Sequence, residues 1–192
     1  MVYRASIYFI LFQSLIIGDN PYLKFREFMN SSNGRVLDIS FAQNQINNIE
    51  KKNGLFYYFG ELNYTYDDDV QRIIYNQESI TTINKLSKQI IYDENIKNNL
   101  NILDILGGKA NGIIIEEVLL DKNGTRIPFK LNEWKIAGNL WTVPSTGEPK
   151  KVVLEYTDGS NMNIIINNIY SEEVKTLSSI NTDGYEIIDL RE

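Results

Sequence analysis

Apolar and polar residues alternate along most of this chain with the two-residue period of half-buried strands. Leu37, Ile39 and Phe41 alternate with Asp38, Ser40 and Ala42, and Leu62, Tyr64 and Tyr66 alternate with Asn63 and Thr65. Residues 55–59 are almost wholly aromatic, which predicts a strand buried on both faces or lining an apolar cavity. Further strands are expected over residues 70–76, 80–84, 89–92, 112–120, 125–131, 133–140, 152–156, 162–169 and 185–190. Asn53-Gly54, Lys122-Asn123-Gly124 and Asp158-Gly159 are hairpin signals, and Asp67-Asp68-Asp69 reads as a solvated acidic turn. Residues 143–150 hold two prolines and a glycine and read as a loop.

Two stretches carry the helical period instead. Asn20 caps and Pro21 suits a first helical position. Tyr22, Phe25 and Phe28 or Met29 then recur at helical spacing until the Ser31-Ser32-Asn33-Gly34 cluster. A second helix is expected over residues 93–106, capped by Asp93, with Ile96, Leu100 and Leu103 on one face and Gly107-Gly108 as its stop. The sum is an α+β, mainly β chain of about eleven antiparallel strands with two helices. So many strands must curl or close to bury a face.

The first eighteen residues stand apart. Arg4 is the only charge before Asp19, and the fourteen residues between are dominated by Ile, Leu and Phe. That run is short for a membrane span and fits a secretory signal peptide over residues 1–18, with one domain over 19–192. The alternative reading is a buried N-terminal element.

Composition narrows the chemistry. The 192 residues include no histidine and no cysteine. Histidine general bases, Ser-His-Asp triads, thiol nucleophiles, disulfides and thiolate zinc sites are therefore excluded. No lipid-anchor cysteine is present either, so an exported product is expected to be unanchored. Nineteen basic against 25 acidic residues disfavour nucleic acid as a partner. The 23 asparagines and 28 isoleucines are expected at turns and surfaces and in strand interiors respectively. Carboxylate chemistry survives, but Asp67-Asp68-Asp69 lacks the spacing of a calcium loop, and Glu116-Glu117 and Glu172-Glu173 show no pairing logic. Gly107-Gly108 lacks the following Lys-Ser/Thr of a phosphate loop. No catalytic residue, metal ligand or cofactor is expected, and the chain is read as a non-enzyme.

The order of elements resembles the outer-membrane lipoprotein carrier family, the LolA-type periplasmic chaperones. After a first helix comes Phe41-Ala42-Gln43, then a glycine-started aromatic strand over residues 54–59, then Leu62-Asn63-Tyr64-Thr65-Tyr66 in place of a Phe-x-Trp strand. Residues 73–83, the Lys88-Gln89 step, a helix ending at Leu106, the Asp158-Gly159-Ser160 hairpin and a closing Gly184-Tyr185-Glu186 follow in family order. There are departures. Asn76-Gln77 replaces an aspartate-glycine turn, and Thr81 replaces a tryptophan. Thr182-Asp183 lies where a proline is usual. Phe59-Gly60-Glu61 lacks the basic residue that latches the lid in characterised members.

The resemblance implies a strongly curved, incomplete barrel with the helices as a lid over a hydrophobic cavity. The cavity would hold the acyl chains of lipoproteins released by an inner-membrane ABC transporter and passed to an outer-membrane receptor. The expected place of work is the periplasm of a Gram-negative bacterium, as a monomer. Candidate acyl-chain contacts are Phe25, Phe28, Ile39, Phe41, Tyr57, Leu62, Tyr64, Tyr66, Ile96, Leu100 and Leu103. A lipid or lipoprotein sensor on the same fold and a carboxylate hydrolase are the alternatives. Protein recovered from its native compartment is expected to begin near Asp19 by N-terminal sequencing. An intact Met1 would remove the export argument.

Overall fold

The computed structural model describes residues 20–30, 34–45, 48–60, 63–95, 101–170 and 177–191. The expected signal segment, Leu62, Ile96 and Leu100 lie outside them. Thirteen strands join in one sheet: β1 (Arg35–Gln45), β2 (Asn48–Gly60), β3 (Asn63–Asp67), β4 (Gln71–Tyr75), β5 (Ser79–Asn84), β6 (Gln89–Glu94), β7 (Ile113–Ile115), β8 (Leu119–Asp121), β9 (Gly124–Leu131), β10 (Ile136–Thr142), β11 (Pro149–Tyr156), β12 (Asn161–Tyr170) and β13 (Glu186–Asp189). Two helices, α1 (Pro21–Met29) and α2 (Ile102–Leu106), complete the described elements together with a 3-10 turn at Asn132–Trp134.

The sheet is curved and does not close, as expected of an incomplete barrel. Its order is β13-β6-β5-β4-β3-β2-β1-β12-β11-β10-β9-β7, with β8 on β9 beside β7. Two antiparallel meanders therefore meet where β1 pairs β12. The strand count exceeds eleven partly because the expected strand at 112–120 is two short ones, β7 and β8, each paired with a different part of β9. One strand departs from the all-antiparallel expectation: β13 pairs β6 in parallel. A parallel neighbour needs a crossover. The chain leaves β12 beside β1 and returns at the far edge of the other meander.

Three hairpins of the first meander use one device. Asp68 Oδ1 accepts from the amides of Val70 and Gln71, Asn76 Oδ1 from those of Glu78 and Ser79, and Asn84 Oδ1 from those of Leu86 and Ser87. These Asx turns recur every eight residues and give the asparagine-rich composition a structural use. The acidic triplet is not simply solvated. Asp67 accepts from Arg72 Nε at 3.1 Å and Nη2 at 2.8 Å, and lies 2.8 Å from Lys85 Nζ. Burial works against the Asp67 charge, but these two cations outweigh it and hold the carboxyl below its usual range. Arg72 Nη1 donates to the Ser178 carbonyl at 2.7 Å, tying the returning crossover to the outer face of the sheet.

Asn53-Gly54 is not a hairpin turn. Both residues sit inside β2, opposite Ser40 and Ile39. The turn signal lost to the pairing of β1 with a thirteen-residue β2. Gly54 serves a different need: a Cβ there would lie 2.6 Å from Tyr66 Cε2 and 2.7 Å from the Asp67 carbonyl oxygen. Glycine lets the Tyr66 ring cross over the strand. The expected helix over 93–106 is likewise shorter. Asp93 belongs to β6, and α2 starts after Asn101. Residues 133–135 form the 3-10 turn and its left-handed Lys135 cap rather than the start of β10, and β11 begins inside the expected loop, at Pro149.

Gly54→Ala is expected to cost about 1–3 kcal/mol through overpacking, with Asn53→Ala within about 0.5 kcal/mol of wild type. Urea unfolding of the two variants checks this. A hairpin turn at 53–54 would instead make both substitutions costly.

Candidate lid and apolar interior

The inner face of the sheet is built by strand parity. Leu37 and Ile39 on β1, Phe56 and Tyr58 on β2, Tyr64 and Tyr66 on β3 and Tyr75 on β4 share one buried cluster with Ile127, Phe129, Leu140, Val152, Leu154 and Ile164 from the second meander. Its rings touch in one run and, with Phe41 packed against the cluster, in one separate pair. Tyr64 stacks on Tyr75 with centroids 4.5 Å apart, Phe56 lies 5.4 Å from Tyr64, and Phe41 meets Tyr66 edge-on at 5.4 Å.

Two short helices cover this face. Asn20 caps α1 by accepting from Tyr22 and Leu23 amides at 3.0 and 3.2 Å. Phe25 and Met29, one turn apart, are fully buried in the cluster. α2 carries a capping box: Asn101 Oδ1 accepts from the Leu103 amide, and Asp104 Oδ2 accepts from the Asn101 amide. Leu103, Ile105 and Leu106 are buried below it.

Close backbone approaches fix both helices. A Cβ on Gly107 would lie 2.8 Å from Tyr58 Cε2, and one on Gly108, whose φ is +69°, 2.9 Å from Arg26 Cγ. This glycine pair therefore does more than stop a helix: it seats the end of α2 on Tyr58 and against α1. Tyr58 reaches the other helix as well, its hydroxyl donating to Asn30 Oδ1 at 3.1 Å. The loop before β11 presses on α1 from the far side, where a Cβ on Gly147 would lie 2.5 Å from the Lys24 carbonyl carbon. Arg35 adds a tie between sheet and lid. Its Nε donates to the Phe28 carbonyl at 2.9 Å, and its guanidinium lies 4.2 Å from the Phe28 ring centroid. A basic residue thus holds α1 from β1, away from the Phe59-Gly60-Glu61 position where the sequence lacked one.

Of the candidate residues, Phe25, Ile39, Tyr64, Tyr66 and Leu103 lie together in the cluster, with Phe28 and Phe41 packed against it. Tyr57 does not join them. It sits between Phe56 and Tyr58 in β2 and points to the outer face, opposite Thr65 and near Asp67 and Arg72. Both faces of this strand are covered, so an aromatic run alone could not assign the inner one. Phe56, Tyr58 and Tyr75 were missed as inner residues, as were Arg35 and Asp104, and Met29, on the expected apolar face of α1, is more deeply buried than Phe28. Asn101-x-x-Asp104 carried a capping-box signature that marks the true start of α2.

Polar groups in this interior are few. Asp104 is 6% exposed, and burial raises its carboxyl above the usual range. Its Oδ1 and the Tyr64 hydroxyl are both buried without a hydrogen bond of good geometry. Burial, then the nearby Asp104 charge, holds the proton on Tyr64. The Tyr75 hydroxyl is satisfied by Asn95 at 2.8 Å. Among the described residues no three acidic side chains gather to hold a metal ion, and no helix is long and apolar enough to cross a membrane.

No protein-family model matches the chain, and no curated protein matches it. Its architecture is similar to that of an uncharacterized conserved protein from Thermus thermophilus, with a TM-score of 0.52, 7% identity, and 88% of this chain and 99% of that one covered. The likeness is one of fold. A putative outer membrane lipoprotein-sorting protein domain from Vibrio parahaemolyticus is similar with a TM-score of 0.48, 5% identity and coverage of 84% and 93%. A LolA superfamily protein from Nitrosomonas europaea follows with 0.41, 8%, and 78% and 90%.

A raised carboxyl in the folded state means that the fold holds the Asp104 proton longer than the unfolded chain does. Its contribution to stability is therefore present at low pH and lost as pH rises from the ordinary carboxylate value through the raised one. Asp104→Asn, which keeps an oxygen for the Asn101 amide, is expected to be more stable than wild type at about pH 7 and equal to it near about pH 3. Urea unfolding across that range checks this. A stability difference that does not change with pH would show that the carboxyl is not strained by burial.

Proposed function

We propose that this chain is a periplasmic carrier of lipoproteins, which buries their acyl chains between the sheet and the two helices and delivers them to the outer membrane. One observation carries the reading. A broad aromatic and aliphatic sheet face is covered by helices of only nine and five residues, held by a handful of polar ties. Such short helices have little stability of their own. They stay in place through side chains that an acyl chain can replace, since Phe25, Met29, Leu103 and Leu106 fill apolar space without specific partners.

The energetics suit transport. At about 0.8 kcal/mol per buried CH₂, one sixteen-carbon chain gains on the order of 10 kcal/mol from burial. A lipoprotein therefore leaves a membrane only when an equivalent apolar surface receives it. Transfer needs burial and release, with no proton movement or bond cleavage, and a chain without histidine or cysteine lacks nothing for it. On this reading the donor is an inner-membrane lipoprotein-releasing ABC transporter and the acceptor an outer-membrane receptor.

The chain without residues 1–18, incubated with inner-membrane vesicles loaded with a lipoprotein, is expected to yield a soluble complex by size-exclusion chromatography. Met29→Ala removes about 2–5 kcal/mol of packing where α1 meets the sheet and should speed acyl-chain uptake in a stopped-flow assay with a fluorescent lipopeptide. Binding of free acyl probes without lipoprotein release would sink the carrier role and leave a lipid-binding protein.

A further inference from the structure

A cleft of about 270 Å³ opens at the end of α1, between β1, β11 and β12. Its walls differ in kind. Phe28, Ile166 and Ile169 line it and also pack against the buried cluster, so its apolar side is continuous with the interior. Arg35, Lys150 and Glu148 line it as well, giving two cations against one carboxylate in a protein whose net charge is -6; the Lys150 ammonium, on the exposed rim, also donates to the Asn123 carbonyl at 3.3 Å. Arg35 loses hydration there, which lowers its proton affinity, and Glu148 partly restores it. Among the described residues, no ion pair joins Glu148 to either cation.

We infer that this cleft receives the anionic head of an amphiphile, a phosphate monoester or diester, whose acyl chain runs from Phe28 into the interior under the helices, in place of side chains that now fill it. The inference rests on the proposed acyl-binding role and adds a headgroup class to it. A guanidinium held in place through its Nε bond to the Phe28 carbonyl is suited to phosphate. A half-buried cation that has given up water gains more from an anion than a surface one does. Phosphate could reach such a cleft on a lipid or free in solution. The apolar wall selects the lipid.

The test uses two residues that take no part in holding the helices. Binding of hexadecyl phosphate, monopalmitoylglycerol and inorganic phosphate is measured by isothermal titration against wild type, Glu148→Gln and Lys150→Gln. Hexadecyl phosphate should bind about 2–5-fold tighter to Glu148→Gln and about 2–5-fold weaker to Lys150→Gln, the range expected for one nearby partly screened charge. Monopalmitoylglycerol should bind all three alike. Alkyl phosphate binding that neither variant moves overturns the headgroup site and leaves the acyl site standing. Inorganic phosphate binding as tightly as hexadecyl phosphate overturns the amphiphile in favour of a free-anion site. Failure of both amphiphiles to bind removes the acyl-binding role itself.

Discussion

Among the described residues, thirteen strands and two short helices impose a covering problem. A flat sheet of that width exposes one whole face, and two helices of nine and five residues shield only a fraction of it. The sheet therefore curves until its two meanders face each other across a shared interior, with Phe56 and Tyr64 from one side and Phe129 and Leu154 from the other in one cluster. What the curvature leaves open, the helices close. Bulky rings suit this arrangement because each spans more of the gap than an aliphatic side chain does.

Beyond the apolar side chains that each helix buries, a few specific contacts fix where the helices sit. Tyr58 serves both of them, through its ring under Gly107 and its hydroxyl on Asn30. Arg35 and the loop at Gly147 add one tie each to α1. Against these stands Asp104, a carboxyl taken out of water without a good partner for one oxygen. The seam between helices and sheet thus mixes tight backbone seating with one buried carboxyl, whose charged form burial disfavours and which faces the Tyr64 hydroxyl.

The architecture was legible where side chains alternate simply. β1, the Tyr64–Tyr66 strand and the second meander follow parity, and α1 follows its Asn20-Pro21 start. Legibility failed where a local signal competed with a distant partner. Asn53-Gly54 looks like a turn because local chemistry favours one, yet a long register with β1 and the Tyr66 ring require an extended glycine there. Asp93 looks like a helix cap, but β5 and β13 hold its segment as a strand. For the interior, parity along β3 was sufficient to find Tyr64 and Tyr66. Along β2 it was not, since Tyr57 is buried on the other face beneath contacts to Thr65 and the Arg72 network. The lid seats at Gly107 and Gly147 depend on close backbone approaches that no spacing rule announces.

The parallel strand at the end of the chain also sets an order of events. β6 is complete by Glu94, but its outer neighbour β13 begins only at Glu186. A chain emerging from its N-terminus presents β6 as an open edge for about ninety residues of synthesis. Unpaired edges recruit other chains, and pairings of such sequence separation form slowly. Covering that edge falls to the four residues of β13, which form a shorter edge of their own, the crossover before them anchored by Arg72 on the Ser178 carbonyl. Loss of those residues would leave the inner face largely intact while exposing the six-residue β6 in place of the four-residue β13 as the edge of the sheet.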